Sequence, residues 1–210
     1  MNIQTTTKRI LCYGDSNTWG WVPQSSGLAR WPIGSRWTGI LQQLLGSDYE
    51  VIEEGLGGRT TSFDDPRPDF PERNGLKTLP IILESHLPLD LVIIMLGTTD
   101  TKEMMQLSGE QITEGLRQLV SVVKGYKVLT GFSSPQILIV VPPIVDENAA
   151  FAATLFKGSS KKGTYLIESY KQMAESEQIL YLNPTVDIKV DEQEGVHLSS
   201  ASHHGRYPFS

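Results

Sequence analysis

The chain of 210 residues holds a single cysteine, no run of basic residues, no Pro/Ser/Gly-rich linker and no apolar stretch approaching the length of a membrane span. Each shortage excludes something. With Cys12 alone no disulfide can form within the chain, and its place inside an apolar segment marks it as a small core hydrophobe rather than a catalytic thiol. The net charge of −6 is spread along the sequence without a Lys/Arg cluster, which argues against a nucleic-acid surface. A bilayer-spanning helix needs about 20 apolar residues, and none of the hydrophobic runs is that long. Met1 to Arg9 is polar and lacks the apolar centre of a secretion signal, so no membrane partner and a cytoplasmic location are expected. The absence of linkers and internal repeats predicts one domain over residues 1–210.

What is present is alternation. Five segments read as strands: Arg9–Tyr13, Tyr49–Glu53, Leu89–Leu96, Gln136–Val141 and Gln178–Leu182. The third and fourth are almost continuously apolar, as strands buried on both faces of a parallel sheet are. Helical periodicity lies between them. Ser35 is placed to cap a helix carrying Trp37, Ile40, Leu41, Leu44 and Leu45, with Gly46 as its stop. Ser108 and Gln111 form a capping-box pattern ahead of Ile112, Leu116, Leu119, Val120 and Val123. Further helices are predicted at Leu76–Glu84, with Pro80 weakening the middle, and at Lys162–Ser176. Strands alternating with helices imply right-handed crossovers and a three-layer α/β/α sandwich, with a five-stranded parallel sheet of order 2-1-3-4-5. Its ligand crevice would open between strands one and three.

The polar signals fall where these strands end. Gly14-Asp15-Ser16 follows the first, Gly55 to Arg59 the second, Gly97-Thr98-Thr99-Asp100 the third and Pro142-Pro143 the fourth, while Glu194-Gly195-Val196-His197 comes after the fifth. Any one of these is ordinary turn or capping chemistry. Together on one rim they bring a hydroxyl, backbone donors and an imidazole to one crevice, which suits acyl transfer. A serine hydroxyl needs a base, histidine titrates near neutrality, and a carboxylate on its second nitrogen fixes the tautomer. Ser16, His197 and Glu194 can fill these roles, with Asp191 as the alternative carboxylate. The N–H groups of Ser16 and Gly58 are candidate oxyanion donors, because glycine lets a ligand approach the backbone closely.

These residues resemble the SGNH hydrolases, also called GDSL esterases, and within them the arylesterase and acyltransferase subgroup. The similarity runs through Ile10 to Pro23, Arg36-Trp37-Thr38-Gly39, Val51 to Leu56, Arg59-Thr60-Thr61, Asp64-Asp65-Pro66 and His86 to Thr98. It implies a flavodoxin-like fold without metal or organic cofactor, with Ser16 as nucleophile and first oxyanion donor, Gly58 as second donor and His197 as base. Three places depart from the pattern. Thr99 stands where the family's third oxyanion donor is an asparagine. Glu194 stands where the family acid is an aspartate. Residues 198–210, with Gly205 and Pro208, read as an irregular tail in place of a final helix. That leaves an apolar patch for the tail or a neighbouring subunit to fill, or marks an altered natural end.

Trp19 and Trp21 flank Ser16 as walls of an acyl pocket or as packing residues. Asp100 is expected to cap a helix or anchor its loop, Arg59 to pair with Asp15, His86 to close a helix, and His203 and His204 to be solvated. Trp21, Trp31 and Phe70 suggest apolar surface and hence a homo-oligomer. The expected function is a serine esterase for small acyl esters, with acyl transfer to alcohols where the pocket disfavours water. A sugar O-deacetylase and a weakened acyl-ester-binding protein are the alternatives. A nucleotide binder is disfavoured, because the first loop lacks a phosphate-wrapping Gly/Ser/Thr run.

Overall fold

The computed structural model describes residues 7–27, 29–125 and 133–203. Five strands, β1 (Lys8–Gly14), β2 (Tyr49–Gly55), β3 (Leu91–Met95), β4 (Gln136–Val140) and β5 (Leu180–Leu182), form one sheet in the order β2-β1-β3-β4-β5. Every pairing is parallel. The helices are α1 (Ser16–Trp19), α2 (Trp37–Leu45), α3 (Gly75–His86), α4 (Gly109–Gly125), α5 (Ala152–Leu155), α6 (Ser159–Glu177) and α7 (Ser200–His203). The arrangement is the predicted three-layer α/β/α sandwich.

Strand alternation sorts the core into two layers. Leu11, Tyr13, Val92, Ile94, Ile137 and Ile139 share one cluster with the buried faces of α3, α4 and α6. Ile10, Cys12 and Ile93 face the other way, toward Trp37, Leu41 and Leu45 of α2. The α2 side is more thinly covered. It leaves an apolar groove of about 190 Å³ among Trp37, Leu44, Met95, Leu138 and Leu182, with Ser202 and His203 at its margin. Among the described residues, no helix is long and apolar enough to cross a membrane.

Several local expectations need correction. Ser35 does not cap α2. It is spent in a 3-10 turn (Ile33–Ser35), its N–H donating to Pro32 O at 2.8 Å, so that Arg36 becomes the N-cap and no side chain caps the helix. Gly46 stops α2 with φ +71°. The Ser108–Gln111 box is reciprocal: Ser108 N donates to Gln111 Oε1 at 2.8 Å, and Gln111 N to Ser108 Oγ at 3.2 Å. Helix α3 runs through Pro80 and begins on Asn74, whose Oδ1 accepts from Leu76 N and Lys77 N. Strand β5 is shorter than predicted because Gln178 takes φ +55° to close α6. In the expected irregular tail, Ser200–His203 form a helical turn. His203 is buried rather than solvated, its ring edge-on to Trp31 at 6.3 Å. His204 and the rest of the tail lie outside the described residues.

Candidate active site

The rim at the strand C-termini is assembled by a small set of buried polar contacts. Asp15 caps α1 by accepting from Asn17 N at 2.9 Å, which turns the chain sharply after β1 and presents Ser16 in the first helical turn. Arg59 does not pair with Asp15. Its Nη1 donates to the carbonyls of Gly14 (2.9 Å) and Glu54, tying the ends of β1 and β2 together. Its guanidinium also lies 4.1 Å from the Tyr13 ring centroid. Asp100 anchors its loop, accepting from Thr61 N at 3.0 Å and Thr61 Oγ1 at 2.6 Å, which ties the loops after β2 and β3 together. Burial pushes the Asp100 carboxyl up to about 7, and burial likewise raises that of Asp15.

His197 reaches Ser16 across this rim. Its Nε2 lies 2.8 Å from Ser16 Oγ, and its Nδ1 lies 2.5 Å from Glu194 Oε1. An ionised carboxylate only accepts, so Nδ1 carries the proton and Nε2 is left as the acceptor for the serine hydroxyl. The second Glu194 oxygen, Oε2, accepts from His197 N at 2.9 Å, so one carboxylate clamps both ring and backbone of the same residue. Asp191 takes another task. Its Oδ1 accepts from Gln193 N and Glu194 N, holding the turn that carries Glu194. Ser16, Glu194 and His197 are 7%, 3% and 6% exposed, so the relay sits in a largely water-excluded setting where charge interactions are strong.

Two contacts were missed by sequence reasoning. Asn17 Oδ1 accepts from Leu198 N at 2.8 Å, pinning the histidine loop directly to the serine turn. Trp21 stacks on His197, with ring centroids 4.8 Å apart and planes 14° from parallel, while Trp19 lies 6.3 Å from Trp21. A polar residue beside the serine and an aromatic five residues after it were the only signals available.

Ser16, Gly58, Thr99 and His197 all line one cleft of about 590 Å³. Trp19, Trp21, Phe151, Leu155 and Phe156 form its apolar walls. Gly58 has φ +78°, a conformation that favours glycine. The N–H of Gly58 and the hydroxyl of Thr99 donate to no acceptor among the described residues. The aromatics expected to be exposed are half-buried by contacts within the chain: Trp21 by His197, Trp31 by His203, and Phe70 by Arg67 and Arg73.

Known proteins give this geometry a context. The model of the GDSL-like Lipase/Acylhydrolase family matches residues 12–204. The native aryl esterase of M. smegmatis is similar at 41% identity, with 94% of each chain covered and a TM-score of 0.88. Est24, a carbohydrate acetylesterase from Sinorhizobium meliloti, is similar at 38% identity, again with 94% of each chain covered, and a TM-score of 0.87. A search of curated proteins finds no match. With the family match spanning nearly the whole described chain, the protein belongs to the GDSL-like lipase/acylhydrolase family.

Proposed function

We propose that the protein is a serine esterase that hydrolyses small acyl esters through an acyl-enzyme on Ser16. The observation that carries this reading is the continuous relay from Ser16 Oγ through His197 to Glu194, with contacts of 2.8 and 2.5 Å. His197 Nε2 takes the hydroxyl proton as Oγ attacks the ester carbonyl, then returns it to the departing alcohol oxygen. Water, deprotonated by the same nitrogen, attacks the acyl-Ser16 carbonyl and releases the acid and the free serine. The N–H groups of Ser16 and Gly58, with the Thr99 hydroxyl, are the donors available to the oxyanion.

The aromatic walls around the acyl-enzyme lower the local availability of water, which favours transfer of the acyl group to an alcohol. Likeness to Est24 supports a second reading, removal of acetyl groups from carbohydrate.

The test is hydrolysis of a chromogenic short-chain aryl acetate by the parent and by Ser16→Ala. Turnover by the parent and its loss in the variant are expected, and an active Ser16→Ala protein refutes the nucleophile. Repeating the assay with added alcohol measures the share of acyl groups transferred, and acetate release from an acetylated sugar tests the second reading.

A further inference from the structure

One wall of the cleft differs from the rest in charge. Residues 64–73, in the loop between β2 and α3, carry carboxylates at Asp64, Asp65, Asp69 and Glu72 and guanidinium groups at Arg67 and Arg73. Of the loop's charged residues only Arg67 and Arg73 line the cleft, with Phe70 between them, joined there by Lys102 from the loop after β3. The carboxylates of Asp64, Asp69 and Glu72 belong to the exposed side, and Asp64 is engaged by Lys77 at 2.8 Å. Phe70 is the platform for the wall: the Arg67 guanidinium lies 3.7 Å and that of Arg73 5.4 Å from its ring centroid.

Within this wall the carboxylate of Asp65 serves two of the three cations. Asp65 is bound by Arg67 through Nε at 2.8 Å and Nη2 at 2.6 Å. Lys102 Nζ lies 4.0 Å from Asp65, beyond hydrogen-bond distance, and makes no hydrogen bond among the described residues although the residue is only 6% exposed. Arg73 is held by carbonyls alone, those of Gly57 at 2.8 Å and Pro71 at 2.7 Å. A loop clamp needs the Arg67–Asp65 pair but not the two further cations. A lysine that lines the cleft without a hydrogen bond among the described residues is available to a negative ligand there. Burial and the neighbouring Arg67 charge lower the Lys102 ammonium to about 8, against the opposing pull of Asp65, Asp15 and Asp100.

Arg67 and Arg73 stand next to Gly58. A Cβ built on Gly58 would lie 3.6 Å from Arg67 Nη2 and 3.8 Å from Arg73 Cδ. The other walls are aromatic and aliphatic, so the cleft is polarised, apolar on one side and positive on the other.

We propose that Arg67, Arg73 and Lys102 form an anion subsite and that the preferred substrates are esters bearing a negatively charged group, such as a carboxylate. The proposal rests on the esterase reading for its chemistry, but the subsite is a statement about binding and is testable without turnover. A carboxylate reaching Arg73 and Lys102 would gain charge-assisted hydrogen bonds, each worth roughly 10- to 100-fold in affinity.

Binding is measured by calorimetry on Ser16→Ala, which leaves the ester intact. Two matched pairs are used: 3-carboxyphenyl acetate against phenyl acetate, with the charge on the alcohol half, and phenyl hydrogen glutarate against phenyl pentanoate, with the charge on the acyl half. At least one charged ester should bind roughly 10-fold or more tighter than its neutral counterpart. That preference should weaken with added salt. It should also fall about tenfold when Arg73→Gln or Lys102→Met is added. The pair that shows the preference identifies which half carries the charge. Half-buried Arg73 keeps the test decisive if the Lys102 variant misfolds. No preference in either pair, or a preference untouched by the substitutions, overturns the subsite. Hydrolysis of the same esters by the parent is followed separately, so that failure of the esterase reading shows as absent turnover while the affinity ratios still decide the anion site.

Discussion

Replacing Glu194 by glutamine tests the relay most directly, because the carboxylate has two different donors to satisfy. Oε1 faces His197 Nδ1 at 2.5 Å and Oε2 accepts from His197 N at 2.9 Å, both in a buried setting. Glutamine has one oxygen and one NH2. If the oxygen stays on Nδ1–H, the NH2 confronts the backbone N–H, and a buried donor is left unpaired at a cost of about 1–3 kcal/mol. If the amide turns over, its NH2 faces Nδ1, the imidazole must move its proton to Nε2, and the ring can no longer accept from Ser16. In either orientation the negative charge that stabilises the developing imidazolium is gone, a loss of roughly 2–3 kcal/mol for a hydrogen bond to a charged group. Together these predict a fall in kcat of about 10²–10⁴, at 1.36 kcal/mol per decade. KM should change little, since the lost interaction strengthens only as charge develops. Steady-state kinetics with an aryl acetate measure this, with circular dichroism as the check on folding. A folded Glu194→Gln protein with kcat within threefold of the parent would show that Glu194 does not orient or charge-stabilise His197.

At Thr99 the donor is a short hydroxyl with no competing acceptor among the described residues, so Thr99→Val is expected to lower kcat several-fold, while Thr99→Asn raises it by roughly 10- to 100-fold with a smaller effect on KM. An unchanged or lower kcat in a folded Thr99→Asn protein would mean the hole is filled by other donors. Asp100 has a folded value of about 7 against the usual carboxylate range near 4, so the folded chain holds this proton where the unfolded chain has lost it. Its contribution is full below about pH 4 and is lost as pH rises through about 7. Urea unfolding at pH 5 and pH 8 should therefore show the parent losing about 1–3 kcal/mol relative to Asp100→Asn, and parallel pH profiles would refute it. A Cβ at Gly55 would lie 2.2 Å from Trp19 N and 2.5 Å from Trp19 Cα, so Gly55→Ala must displace the backbone of the serine turn. We expect a loss of about 2–4 kcal/mol in stability together with reduced turnover, and an unfolding midpoint equal to the parent's would contradict that packing.

The sheet was legible in the sequence because β3 and β4 are nearly continuous apolar runs, a pattern typical of strands buried on both faces. Strand ends were less legible. Gln178 has a strand-compatible neighbourhood but is drawn into a left-handed helix cap, and Ser35 has the chemistry of a cap but is used up in the preceding turn. Both outcomes depend on where the chain must go next, which local propensity does not encode. The rim shows the same division. Ser16, Gly58 and Thr99 could be named because each lies close behind a recognisable strand, and Glu194 and His197 because they stand three residues apart in one short motif. Asn17, which pins the histidine loop, was invisible because its partner Leu198 N is a backbone atom 181 residues away.

The cationic wall was hidden for a further reason. Arg67, Phe70 and Arg73 occupy a loop without period, and four neighbouring carboxylates cancel their charge in any sequence average. Only the fold separates the two signs, turning three of those carboxylates outward, burying Asp65 beneath Arg67, and setting the cations beside Gly58. An acidic chain with a net charge of −6 can thus present a positive wall to a substrate, because recognition depends on the field inside the cleft and not on the total.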